Sequence, residues 1–156
     1  MTGAIRTQGG TVNKFLGDGF LAVFGAPAAY SDHARRAVEA ALAMEGELAA
    51  LNQELAAQGE PPMEMGIGID GGEVIAGNVG STDRLEYTVI GDAVNRSSRI
   101  EQLKKSLGTR ILVSGRIYRD AGISGGRALD PVAVKGIDQP LQLFSVGEKP
   151  CGAPPL

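Results

Sequence analysis

The segment from residue 85 to residue 99 constrains the fold of this chain more than any other. It begins with an apolar run of strand-forming residues, passes through Gly91 and Asp92, and continues with a pattern typical of a helix. That helix carries Asn95 and Arg99, which are four residues apart and therefore share one face. A neutral amide beside a permanent cation suits a ligand that has both a sugar hydroxyl and a phosphate.

Composition favours one globular domain. The chain has 156 residues, of which 43% are hydrophobic, and this is enough to build a core. The formal net charge of -3 arises from 15 basic and 18 acidic residues without a basic block, which argues against a nucleic-acid or anionic-membrane surface. The single cysteine cannot form an internal disulfide, and no run resembles a membrane span or a signal peptide, so we expect a cytoplasmic protein.

Strand and helix patterns follow one another along the chain. Residues 11–24 have the pattern of a β-hairpin whose glycine-rich turn places Asp18 at the tip. A helix capped by Ser31 or Asp32 is predicted to end near residue 57. A strand is predicted over 63–69, and the apolar run over 74–79 either pairs with it as a second hairpin or leaves a strand and a loop. The later predicted elements are a helix over 92–105, a strand over 110–113, a short helix from Ser114, and apolar runs over 128–135 and 141–146. This mixture predicts an α+β or α/β sandwich.

Three motifs occur in order along the chain: residues 14–19 with Phe24-Gly25, residues 66–69 with 72–74, and residues 86–95. Together they resemble the class III nucleotidyl cyclase catalytic domain, over roughly residues 5–147. Several separated motifs in the right order are far more specific than one glycine pattern. The resemblance implies an α+β fold, a ferredoxin-like α/β sandwich, over residues 1–147, followed by a flexible tail over 148–156.

Members of this family convert a nucleoside triphosphate to its 3′,5′-cyclic monophosphate and pyrophosphate at sites between the subunits of a head-to-tail dimer. The resemblance therefore implies a homodimer. It also implies that Asn95 orients the ribose and that Arg99 stabilises the charge that builds on the α-phosphate. Arg110 and Lys135 match positions that contact phosphates.

Lys14 and Thr88 match the pair of positions that reads the purine in this family. A lysine only donates hydrogen bonds, which suits the acceptor N1 of adenine, and a threonine hydroxyl can accept from the adenine amino group. Guanine presents a donor at N1 and an acceptor at O6, and a guanylyl cyclase is expected to carry an acidic residue in place of Lys14. The predicted substrate is therefore ATP.

The complete site of this family is expected to hold two divalent ions, Mg²⁺ or Mn²⁺, between two aspartates. Asp18 matches the second aspartate. The first lies upstream in a segment with the pattern Phe-x-Asp-Ile-x-Gly-Phe-Thr, which is not found in this sequence. We therefore expect the sequence to begin inside the family's domain, as an N-terminally truncated member.

Two positions depart from the family's pattern. Asp70 is followed by Gly71 where a His-Thr pair is common, and Arg96 replaces a residue that is usually apolar. Arg96 is expected to face either solvent or a dimer partner.

Three functions remain open. The chain is an adenylyl cyclase domain in intracellular signalling, a non-catalytic nucleotide-binding or regulatory homologue, or a partner that completes another cyclase's site by offering Asn95 and Arg99. Without the resemblance, Lys14 is a solvated strand lysine, Asp18 is a turn residue that bonds its own backbone, and Arg99 is a surface cation paired with a nearby acid.

Overall fold

Helices alternate with short strands in the structure of the protein, a computed structural model that describes residues 1–147. The elements are α1 (Thr2–Thr7), β1 (Thr11–Leu16), β2 (Gly19–Val23), α2 (His33–Ala57), β3 (Ile67–Ile69), β4 (Ile75–Ser81), β5 (Arg84–Ile90), α3 (Asp92–Gln102), α4 (Lys104–Leu107), β6 (Ile111–Ser114), α5 (Gly115–Ala121), β7 (Arg127–Ala128) and β8 (Leu143–Val146). Within the described residues, no helix is both long and apolar enough to cross a bilayer. The expected tail over 148–156 lies outside them.

The described strands form three separate sheets. β1 and β2 make one antiparallel hairpin, β4 and β5 make another, and the remaining strands form a sheet in the order β3-β6-β8-β7. In that sheet β3 and β6 are parallel, whereas β8 is antiparallel to both of its neighbours. Every residue of β6 is buried, which explains its almost continuously apolar sequence.

The core lies on both faces of β6. Ile111 packs on the face covered by α2 and α5, in a cluster with Val38 and Ile117. Leu112, the next residue, points to the opposite face and packs with Ile100 of α3. α3 is therefore held on the other side of the sheet from α2 and α5, and Ile100 is its fully buried anchor.

Two elements predicted for the N-terminal half are confirmed. β1 and β2 form the hairpin, with Asp18 at its tip. α2 begins at His33, directly after Asp32, and ends at Ala57. Arg36 donates a 2.7 Å hydrogen bond to Asp32 Oδ1, and this bond is the main cause that lowers the pKa of Asp32. The Asp32 carboxylate is thus engaged by a side chain and does not accept a capping bond from the helix backbone.

The strand predicted over residues 63–69 is too long. β3 covers only Ile67–Ile69. The backbone groups of Met63 are hydrogen-bonded to the side chain of Asn52 on α2 and not to a neighbouring strand. Asn52 Nδ2 donates to the carbonyl of Met63 at 3.0 Å, and the N–H of Met63 donates to Asn52 Oδ1 at 2.8 Å. The amide replaces a strand partner at this position, so regular pairing begins later.

One strand pairing and one helix boundary also differ from the prediction. The run over 74–79 pairs with the strand that leads into α3, starting with Ile75 opposite Ile90, and not with the strand before it. The helix predicted over 92–105 is interrupted after Gln102, and α4 then continues to Leu107. Gly108 ends α4 in the left-handed conformation, with a φ of 60°, which glycine adopts without strain.

Candidate active site

The strand-to-helix motif places Asn95 and Arg99 on one helix. β5 ends at Ile90, and α3 begins at Asp92, whose negative charge in the first turn is favourable to the helix dipole. Asn95 is exposed and Arg99 is partly exposed, one turn further along. Both side chains can therefore reach a ligand that lies against this side of the helix.

Arg99 contacts the loop that carries Lys135. Its Nη1 donates a 2.5 Å hydrogen bond to the backbone carbonyl of Lys135. The next residue, Gly136, has a φ of 75°, and a Cβ there would lie 2.7 Å from Arg99 Nη1, so glycine permits this close approach. Among the described residues Arg99 has no carboxylate partner, which argues against the interpretation as a surface cation paired with an acid.

The strands that carry Lys14 and Thr88 are joined by a side chain. The pairing of β1 with β2 shifts between Val12 and Lys14, and this bulge frees Asn13 from the ladder. Asn13 Nδ2 donates a 3.0 Å hydrogen bond to the carbonyl of Tyr87, the residue before Thr88. The structure thus brings together the segments of the two predicted purine-reading residues, with Lys14 exposed and Thr88 partly buried.

Asp18 is exposed at the tip of the β1–β2 hairpin. Its carboxylate makes no hydrogen bond and no ion pair within residues 1–147. The interpretation as a turn residue that bonds its own backbone therefore has no support, and both oxygens are available to a ligand.

Arg110 lies apart from the Arg99–Lys135 contact. It precedes β6, and its Nη1 is 3.8 Å from Glu45 Oε1 on α2. Since α2 and α3 cover opposite faces of the sheet, one copy of the chain does not bring Arg110 to Arg99. The predicted phosphate-contacting residues thus fall into two groups.

An ion pair between Asp70 and Arg96 was missed by the sequence reasoning. Arg96 Nε donates to Asp70 Oδ2 at 2.5 Å, and its Nη2 donates to the carbonyl of Gly71 at 3.3 Å. The Asp70 side chain is only 5% exposed, against 28% for Arg96. Arg96 therefore faces an acid of its own chain, which corrects the expectation that it faces solvent or a partner. The available signal was that both positions depart from the family's pattern, with opposite charges.

Comparison with known families decides where this fold belongs. A family model described as the adenylate and guanylate cyclase catalytic domain matches residues 4–144. This chain belongs to the class III adenylyl/guanylyl cyclase family. The family prediction is confirmed.

Known cyclases resemble the chain in sequence and in fold. Adenylate cyclase 1 of Rhizobium meliloti is 36% identical over 143 residues, which cover 91% of this chain and 22% of that protein. The crystal structure of the adenylyl cyclase CyaB from P. aeruginosa has a TM-score of 0.83 and 32% identity, and the match covers 95% of this chain and 76% of that chain. The crystal structure of the guanylyl cyclase Cya2 has a TM-score of 0.77 and 39% identity, and the match covers 92% of this chain and 73% of that chain.

These similarities confirm the predicted α+β sandwich of the cyclase type. The chain spans under a third of the length of the curated relatives it matches. Both adenylyl and guanylyl cyclases are among the similar structures, so family membership does not identify the purine.

Class III cyclases generally use Mg²⁺ or Mn²⁺. Within residues 1–147, no group of three or more His, Cys, Asp or Glu side chains is placed to hold a metal ion. Mg²⁺ in phosphate-transfer sites is commonly bound by one or two carboxylates together with substrate phosphates and water. The free carboxylate of Asp18 fits one divalent ion held in that way, whereas two divalent ions need a further carboxylate.

Proposed function

We propose that this cyclase domain converts ATP to 3′,5′-cyclic AMP and pyrophosphate. The observation that carries the proposal is the contact of Arg99 with the Lys135 loop, beside an exposed Asn95, in a chain of this family. These groups supply an amide for a ribose and two cations for phosphates, the combination that a nucleoside triphosphate requires.

Arg99 is the proposed transition-state residue. The 3′-hydroxyl of the ribose loses its proton to solvent and its oxygen attacks the α-phosphorus, while the bond to the pyrophosphate oxygen breaks and negative charge builds on the α-phosphate. The bond to the Lys135 carbonyl occupies only part of the guanidinium, and its other N–H groups can donate to a phosphate oxygen. A donor held in place before the reaction stabilises this charge without reorganisation.

The other substrate contacts have separate roles. Asn95 orients the ribose, and the ammonium group of Lys135 contacts the phosphates. Asp18 holds the divalent ion, which when bound helps to activate the hydroxyl and neutralises charge on the pyrophosphate. Lys14 donates to N1 of adenine and Thr88 accepts from its amino group, an assignment supported by the bond between their strands.

An exposed apolar face supports a homodimer. Ile75 and Ile90 lie opposite each other on the β4–β5 hairpin and are 77% and 57% exposed. Val79 is exposed on the same face, since alternate strand residues share a face. A second copy that covers this face buries apolar area. In this head-to-tail dimer we place Asp18 of one copy beside Arg99 of the other.

Product analysis tests this proposal. The 156-residue chain and a version extended upstream are each incubated with Mn²⁺ and either ATP or GTP, with Asp18→Ala and Arg99→Ala as matched variants. We expect cyclic AMP from ATP and little product from GTP. Arg99→Ala should lose about 100-fold or more in activity, as for removal of a preorganised donor, and Asp18→Ala should lose activity because it removes the metal ligand. Preference for GTP, or full activity of Arg99→Ala, contradicts the proposal.

A non-catalytic nucleotide-binding homologue is the second candidate. It is favoured because Asp18 is the one predicted metal ligand within residues 1–147, whereas two ions need a further carboxylate. This function predicts that calorimetry detects ATP binding, but that neither the 156-residue chain nor the version extended upstream forms product. Product from either version excludes it.

A further inference from the structure

We propose that Asp70 and Arg96 form a positioning pair that fixes the first half of α3, and with it Asn95 and Arg99, in the reactive arrangement. The inference rests on the proposed function. It assigns a role to two residues that contact neither substrate nor metal ion in that proposal.

The pair connects two segments at the start of the site. Asp70 follows the last residue of β3, and Arg96 lies on α3 directly after Asn95. The guanidinium of Arg96 bonds the carboxylate of Asp70 at 2.5 Å and also the backbone carbonyl of Gly71 at 3.3 Å. One planar group thus holds both a side chain and the backbone of the segment after β3, which fixes direction as well as distance.

The first half of α3 has few other anchors. No side chain caps its N-terminus, and its buried residues are Ala93 and Ile100. Ile100 lies beyond Arg99, near the C-terminal end, where it packs with Leu112. Around Asn95, the side-chain hydrogen bonds that tie the helix to the segment after β3 are, among the described residues, those of Arg96.

The chemistry of the pair makes it hard to replace. A nearly buried carboxylate needs a hydrogen-bonded cation, and loss of Arg96 leaves the desolvated charge of Asp70 without compensation. A lysine at position 96 keeps the charge but cannot hold the Asp70 carboxylate and the Gly71 carbonyl with one rigid fork. The pair therefore predicts that Arg96→Lys is a damaging substitution, although its charge is conserved.

Steady-state kinetics of the full chain tests the role first. For Asp70→Asn, Arg96→Gln and Arg96→Lys we expect kcat to fall about 10- to 100-fold, as for a displacement of catalytic groups by about 1 Å, while KM for ATP changes about twofold or less. Glu39→Gln, which breaks the exposed Arg35–Glu39 pair on α2, is the matched control and is expected to change kcat by less than about twofold. An unchanged kcat in folded Arg96→Lys overturns the proposal.

A second test separates positioning from general destabilisation. In the proposed dimer, Asp18 of one copy works with Arg99 of the other. Asp70→Asn mixed with Asp18→Ala should therefore regain activity, because the heterodimer has one site with both halves intact. Asp70→Asn mixed with Arg99→Ala should show no more activity than the two variants assayed separately, because both changes damage the α3 half. Recovery in both mixtures overturns the role, and so does recovery in neither when Asp18→Ala mixed with Arg99→Ala does recover.

A third measurement does not depend on turnover. Hydrogen exchange is followed in Asp70→Asn and in the double variant Asp70→Asn with Arg96→Gln, which leaves no unpaired charge. We expect faster exchange confined to residues 92–99, with α2 unchanged. Absence of product from both the 156-residue chain and the version extended upstream would refute the proposed function alone, whereas unaltered exchange in residues 92–99 would refute the positioning pair.

Discussion

Gly68→Ala is expected to displace α3 from β3. A Cβ at Gly68 would lie 2.4 Å from the carbonyl oxygen of Ser97 and 2.5 Å from the backbone nitrogen of Glu101, both in α3. These are backbone atoms, so no side-chain rotation can relieve the clash. Ordinary contact begins at 3.4 Å, and the helix must therefore move by about 1 Å.

The displacement predicts two separate magnitudes. Overpacking of this kind costs about 1–3 kcal/mol of the free energy of unfolding. Because Asn95 and Arg99 move with the helix, a shift of about 1 Å is expected to lower kcat about 100-fold. The loss of activity should persist at temperatures where the variant is fully folded.

Thermal unfolding and initial-rate measurements at saturating ATP check both magnitudes. Gly46→Ala on α2 is the matched control, since a Cβ there meets nothing within 4 Å. This control is expected to stabilise the helix by about 1 kcal/mol and to leave kcat unchanged. A folded Gly68→Ala protein with wild-type kcat would refute the account of how α3 is held.

Three further changes probe the dimer, the purine and the core. Ile75→Arg places a charge on the exposed face of the β4–β5 hairpin, and sedimentation should show a shift toward monomer with loss of product; an unchanged dimer argues against this face. Lys14→Glu introduces an acceptor for the N1–H of guanine, and the ratio of kcat/KM for ATP to that for GTP should fall about 10-fold or more; an unchanged ratio contradicts the purine assignment. Ile100→Ala should lower the free energy of unfolding by about 2–5 kcal/mol in denaturant titration, against about 0.5 kcal/mol or less for the exposed Leu51→Ala. Equal losses would place Ile100 outside the core.

Local patterns in the sequence predicted the elements that carry the site. The glycine-rich turn around Asp18 and the strand-to-helix passage at Gly91 are encoded by neighbouring residues, and both appear as expected. Boundaries that depend on distant partners were less predictable. The strand before Ile67 is shortened by a side chain of α2, and no local pattern around Met63 reports that contact.

The pairing of site residues was predictable only in part. The spacing of Asn95 and Arg99 placed them on one helix face. The contact of Arg99 with the Lys135 loop depends instead on the packing of two segments that are distant in the sequence. The Asp70–Arg96 ion pair joins residues 26 positions apart, and each was noted separately as a departure from the family's pattern. Two opposite charges that depart together are the signal that could have linked them.

Complementation between two inactive variants tests the shared adenylyl cyclase site most directly. Asp18→Ala and Arg99→Ala proteins are assayed for cyclic AMP alone and as an equal mixture. Random pairing makes half of the dimers mixed, each with one intact site, so the mixture should regain about a quarter of wild-type activity. A mixture no more active than the sum of its separate components would contradict a site built from Asp18 of one copy and Arg99 of the other.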